Sequence, residues 1–114
     1  MSSYTQVLAL KALDALTLRS EAIAQNIANA SSPGYRKVQV SFEASLRAAA
    51  AQGIQALGSW RPEVTFAPRY YGEEGARLDL DLADAAATAG RYAALVDVLG
   101  RQVHIASLAV TGEG

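Results

Sequence analysis

Residues 23–35 read IAQNIANASSPGY, and the interpretation of this stretch decides the fold. Its first part continues a helical pattern, and its last four residues end that pattern. Pro33 brings no backbone donor and disfavours a helical conformation at Ser32. Ser32-Pro33-Gly34-Tyr35 fits a type II turn, with proline preset at the second position and glycine free to take positive φ at the third. Asn26 and Asn29, three residues apart, share one face of the helix in front of that turn. Asparagine is a poor helix former, yet these two sit among Ile23, Ile27 and alanines. Two roles are open to the pair: fraying toward a C-terminal cap, or carboxamides that hydrogen-bond across a packed interface and fix its register.

Upstream, residues 7–30 carry a helical pattern. Ala9, Leu13, Leu16, Ser20, Ile23, Ile27 and Ala30 follow alternating steps of four and three, which is coiled-coil spacing. Leu8, Leu10 and Leu18 widen the apolar face beyond what one partner helix covers. Downstream, Val38, Val40 and Phe42 alternate with Lys37, Gln39 and Ser41, a period of two that predicts a short extended segment. Residues 42–52 (FEASLRAAAAQ) return to strong helix formers, with Gly53 as a stop. Residues 53–75 mix glycines, Pro62 and Pro68 with Trp60, Phe66, Tyr70 and Tyr71, and no period runs through them. This predicts a long irregular loop with a hairpin around residues 63–66.

Leu78, Leu80 and Leu82 alternate with aspartates and lead into a second long helix, for which Asp81 is the expected N-cap. Leu82, Ala86, Ala89, Ala93, Val96, Gly100, Val103, Ser107 and Val110 again step by four and three, flanked by Tyr92, Leu95, Leu99 and Ala106. The expected fold is therefore mainly α, with long N-terminal and C-terminal helices packed as a coiled-coil-like pair around an irregular middle and a short β segment. Its three parts are residues 1–35, 36–77 and 78–114.

Composition narrows the function. The 114 residues suit one domain or one elongated subunit, and alanine supplies much of the 51% apolar content. Ten basic and eleven acidic residues are spread along the chain, so no basic stripe invites nucleic acid or anionic lipid. There is no cysteine, and no uninterrupted apolar run reaches the ~20 residues of a membrane span. The start, MSSYTQVLALKALDALTLRSE, lacks the early basic region and cleavage site of a secretory signal, so export is expected to proceed without a cleaved peptide.

Sequence features for chemistry fall short of a site. His104 is the sole histidine and reads as structural or exposed. Asp79, Asp81 and Asp84 lack the glycine and closing glutamate of a calcium loop. Residues 53–58 have the two-glycine spacing of a phosphate loop, but Ser59-Trp60 replaces its Lys-Ser/Thr. Neither an enzyme, a cofactor nor a metal is expected. Trp60, Tyr70 and Tyr71 have two readings: a small core folded back on the helices, or anchors for a neighbouring subunit.

Leu16, Arg19, Ile23, Asn26-Ile27-Ala28-Asn29-Ala30 and Pro33-Gly34-Tyr35 resemble the N-terminal signature of bacterial flagellar rod and hook axial proteins. Residues 36–46, with Phe42 among them, resemble the segment just after that signature in the FlgB-type proximal rod proteins, and Gly75, Leu78-Asp79-Leu80 and Tyr92 resemble their C-terminal segment. Ser32 stands where threonine is usual, Ser41 where an acidic residue is frequent, and Ala76-Arg77 where an asparagine-rich pair is common. The resemblance implies a structural subunit of the basal-body proximal rod. Such a subunit is exported unfolded through the flagellar type III apparatus and packs helically in the periplasmic space. Its implied neighbours are other rod subunits, copies of itself, and the inner-membrane ring with its rod adaptor, and its implied task is to transmit torque. The competing reading is a small soluble helical adaptor or chaperone that binds one partner helix in a groove.

Overall fold

The computed structural model describes residues 2–67 and 78–111, apart from the side chains of Ala106 and Thr111. The element order is α1 (Ser3–Ala28), β1 (Val38–Ser41), α2 (Glu43–Gln52), α3 (Ile54–Ser59), β2 (Glu63–Phe66) and α4 (Leu78–Thr111). The two terminal helices have 26 and 34 residues, and the expected mainly helical fold with a long helix at each end is the one observed. The molecule measures 63 × 28 × 15 Å.

Each boundary has a local cause. Ser2 caps α1 by accepting the Thr5 N–H at 3.1 Å. At the other end the Tyr35 N–H donates to the Ser32 carbonyl at 3.2 Å, and Gly34 takes φ +74°, which closes the expected turn. Gly53, at φ +112°, both ends α2 and opens α3, a corner that an L side chain would strain.

The middle of the chain is more regular than its composition predicts. Residues 54–59 form α3, because Ile54, Ala56 and Leu57 give a short turn of helix one wholly buried side chain, Leu57. In place of the expected local hairpin, residues 63–66 form one strand that pairs antiparallel with β1, in the register Val38↔Phe66 to Ser41↔Glu63. Long-range pairing of this kind leaves no periodic trace in a four-residue strand. Tyr70 and Tyr71 lie outside the described residues.

The core gathers where α2 and α3 fold onto α1. Ala15, Leu16, Phe42, Leu46, Ala49, Leu57 and Trp60 form it, with Tyr4, Val7, Leu8 and Leu95 packed around it. Phe42 and Trp60 meet edge to face at 6.4 Å between centroids, and the Trp60 indole N–H donates to Ser45 Oγ at 2.9 Å. The Tyr4 hydroxyl donates to the Ala50 carbonyl at 2.6 Å.

α4 runs antiparallel to α1. Its start is tied beside the C-terminal end of α1 by Lys37–Asp81, Arg91 further along reaches the Glu43 that Arg19 of α1 also holds, and Leu95 packs against the core. Asp81 does not cap α4, which already begins by Leu78; it sits in the first turn, buried, and accepts from Lys37 Nζ at 3.0 Å. Lys37 compensates the charge through Oδ1 alone; Oδ2 is buried with no hydrogen-bond partner among the described residues.

Candidate functional site

Two surfaces matter here: a lock on the inner side of α1, and the free side of α4. In the lock, Asn26 is 5% exposed. Its Nδ2 donates to the Val38 carbonyl at 2.9 Å, and its Oδ1 accepts from the Val38 N–H at 2.9 Å and from the Tyr35 hydroxyl at 2.9 Å. One carboxamide thus offers the edge of β1 what a neighbouring strand would offer. Two turns earlier on α1, Arg19 treats the same edge similarly, its Nε and Nη2 donating to the Val40 carbonyl at 3.3 and 2.9 Å.

The remaining reach of Arg19 goes to Glu43, bidentate at 2.7 Å for both oxygens, while its guanidinium lies 4.4 Å over the Phe42 ring. Hydrogen bonding from Arg19 is the main cause that holds the Glu43 carboxyl down at about 2, against partial burial that pushes it up and with help from the backbone amides at the start of α2. Arg91 of α4 approaches the same carboxylate at 3.5 Å. Glu43 therefore connects α1, α2 and α4.

Asn26 hydrogen-bonds within the chain itself, across the contact between α1 and β1, rather than in a seam between helices. Asn29 takes the other role: its Nδ2 donates to the Gln25 carbonyl at 2.9 Å, its Oδ1 accepts from Ser32 at 3.2 Å, and it caps α1. Leu16 and Ile23 are buried, Ile27 and Tyr35 are half-buried, and Phe42 is in the core. Pro33 and Gly34 are exposed at the turn they shape. Trp60 belongs to the core and is not an exposed anchor, because its indole is needed against Phe42 and Ser45. Tyr92 is 41% exposed.

The free side of α4 reverses an expectation. The face toward α1 is carried by Asp81, Ala85, Thr88, Leu95, Leu99 and Gln102, which are buried or half-buried. The seam expected to pack inward lies one residue on, about 100° around the helix. Leu82, Val96, Val103 and Val110 on that seam are 54%, 44%, 61% and 87% exposed, with Ala86, Ala89, Ala93 and Gly100 between them. Both sets share the same spacing, so periodicity cannot choose between them. The pull of Lys37 on Asp81 and the fit of Leu95 against the core select the less apolar set. Leu78, Leu80, Val98 and Ile105 broaden the exposed surface.

The average of α4 is also more apolar than its runs suggest. From Leu78 to Val110 it is long and apolar enough to cross a membrane, with an 18-residue window of mean hydropathy 1.3. Asp97 and Arg101, paired at 3.0 Å one turn apart, break the run that a linear reading follows without making the helix polar. His104 is exposed on the same stretch, in a shallow groove with Val96, Asp97, Gly100, Arg101 and Ile105. Among the described residues, no three His, Asp or Glu side chains converge as metal ligands would.

Sequence reasoning missed Glu43, Arg91 and the Lys37–Asp81 pair. Charged residues 24 to 48 positions apart leave no local spacing to read, although an arginine inside an apolar helix face such as Arg19 does ask for a partner. No family model matches the chain, and no curated protein matches it significantly.

Proposed function

We propose that the chain is a structural subunit of the bacterial flagellar proximal rod, assembling helically with other axial proteins to link the inner-membrane ring to the distal rod. The observation that carries this reading is the unpartnered apolar stripe of α4, Leu82–Val96–Val103–Val110, on the longest helix of the molecule. Soluble monomers rarely leave a contiguous apolar surface of this kind uncovered. Small residues between the valines, Ala86, Ala89, Ala93 and Gly100, let a second helix approach closely. Contacts that do not close on themselves build filaments, and the outer side of α4 offers one surface for them.

The signature residues fit this role as an internal support. Asn26, Arg19 and the Pro33-Gly34-Tyr35 turn hold α1, β1 and α2 in one arrangement, so that the α4 stripe is presented by a pre-organised body. The partners are then other rod subunits, the ring and its rod adaptor, and further copies of the chain. Export through the type III apparatus and a place in the periplasmic part of the basal body belong to the same proposal.

The absence of native cysteine makes the test clean. Val96→Cys and Val103→Cys chains are expected to label rapidly with a thiol reagent when free and to be shielded in isolated basal bodies. Equal labelling in both would remove the stripe from the rod interface. A defined one-to-one complex with a single helical partner, and no incorporation into basal bodies, would favour the adaptor reading instead.

A further inference from the structure

The two edges of the β1–β2 ribbon are unlike. On β1, the Val38 N–H and carbonyl are taken by Asn26 and the Val40 carbonyl by Arg19. On β2, the Ala67 N–H donates back to the Lys37 carbonyl at 2.8 Å, and the register pairs Thr65 with Gln39. Hydrogen-bonded and non-hydrogen-bonded pairs alternate in an antiparallel ladder, so the Thr65 backbone faces β1 and the Val64 and Phe66 backbones face away. All four residues of β2 are exposed, Val64 by 52% and Phe66 by 60%.

Among the described residues nothing pairs with this edge, and it is complementary to itself. When two copies are placed antiparallel about a twofold axis at Thr65, Val64 stands opposite Phe66 of the other copy, and the outward amides and carbonyls of both face each other. Each such pair can exchange two backbone hydrogen bonds. The apolar faces then run on from Val40 and Val38 through Val64 and Phe66 into the second copy. The same register brings Glu63 of one copy to the Ala67 end of the other. There Arg36 lies 4.9 Å over the Phe66 ring and donates to the Ala67 carbonyl at 3.4 Å, its side chain exposed.

We propose that β2 pairs with β2 of a second copy, giving an isologous four-stranded sheet whose outer edges are closed by Asn26 and Arg19. The proposal does not depend on the rod reading, since it concerns the isolated chain. Interfaces built on one short strand are small, so the association is weak and concentration-dependent.

The test is amide hydrogen exchange, read by NMR on the full chain from about 10 µM to about 1 mM, the range in which a small interface fills. Val64 and Phe66 amides are expected to slow by about tenfold across it, the factor one net hydrogen bond supplies, while Thr65 stays unchanged. Val64→Pro removes an outward donor without touching the β1 ladder, and should abolish the effect while the far-UV circular dichroism stays that of the parent. Arg36→Glu should weaken pairing, and adding Glu63→Arg should restore it, which keeps the test independent of any strain from proline. Exchange at Val64 and Phe66 that ignores concentration would overturn the proposal. So would a dimer that survives Val64→Pro, since that dimer would form through α4, or a charge swap that fails to restore pairing.

Discussion

Replacing Asn26 by alanine tests how much of the fold rests on one carboxamide. The side chain is 5% exposed and makes three hydrogen bonds at 2.9 Å, two to Val38 and one to Tyr35. A net hydrogen bond contributes about 1 kcal/mol, and a buried partner left unsatisfied adds about 1–3 kcal/mol. The Tyr35 hydroxyl is half-buried and can turn to water, whereas the Val38 N–H and carbonyl are held against α1. Asn26→Ala is therefore expected to cost about 3 kcal/mol, a large share of the ~5–15 kcal/mol typical of a domain. At this chain length that corresponds to a fall of roughly 10–15 °C in Tm. Urea unfolding followed by circular dichroism and by Trp60 fluorescence measures it, because Trp60 lies in the core and reports on the whole body. Asn29→Ala is the control: its bonds are local to the helix end, and about 1 kcal/mol or less is expected. Equal losses for the two variants, or a loss below ~1 kcal/mol for Asn26→Ala, would refute the view that Asn26 serves as a substitute strand edge.

Two further expectations concern Glu43 and the α4 stripe. The Glu43 carboxyl drops from 4.5 to about 2 on folding, so its contribution is complete above 4.5 and is lost as pH falls through about 2. Because the side chain is half exposed, that contribution is about 1 kcal/mol after screening, and a pH titration of stability should show a step in this window that Glu43→Gln lacks. Val103→Glu, at a position 61% exposed, should change unfolding free energy by no more than ~0.5 kcal/mol while lowering incorporation into basal bodies severalfold; a strong loss of monomer stability would mean the stripe is covered within the chain.

What the sequence makes legible here is local. The Ser32–Tyr35 turn, the Val38–Ser41 strand, the helix ending at Gly53 and the existence of both long helices each stem from residues within a few positions of one another. Burial on α1 was only partly legible: Ala9, Leu16 and Ile23 of the expected seam are buried, but Ser20 is exposed, and Ala15 and Ala22 take its place. Small alanines let α1 be approached over a wider arc than a strict seam describes. The facing side of α4 was not legible at all, since Asp81 and Thr88 look like solvent residues until Lys37 and the packing of Leu95 are known. For the site, Asn26 announced itself as a polar residue inside an apolar helix. Its partner Val38, twelve positions on, carries no polar side chain to match it.

The uneven placement of the core has a mechanical consequence. Large buried side chains cluster on α1, α2 and α3, and Leu95 is the last α4 residue packed against them. Beyond it, Leu99, Gln102 and Leu108 of α4 are only half-buried. A pull on the C-terminal end of α4 would therefore peel the helix from α1 a turn at a time, each turn resisting through the few half-buried side chains it carries. The same pull transmitted through Asp81 and Arg91 would load Lys37 and Glu43 together, in shear, and meet the whole body at once. The chain is compliant at one end and stiff at the other, and a neighbour gripping the outer stripe of α4 would determine which of the two responds.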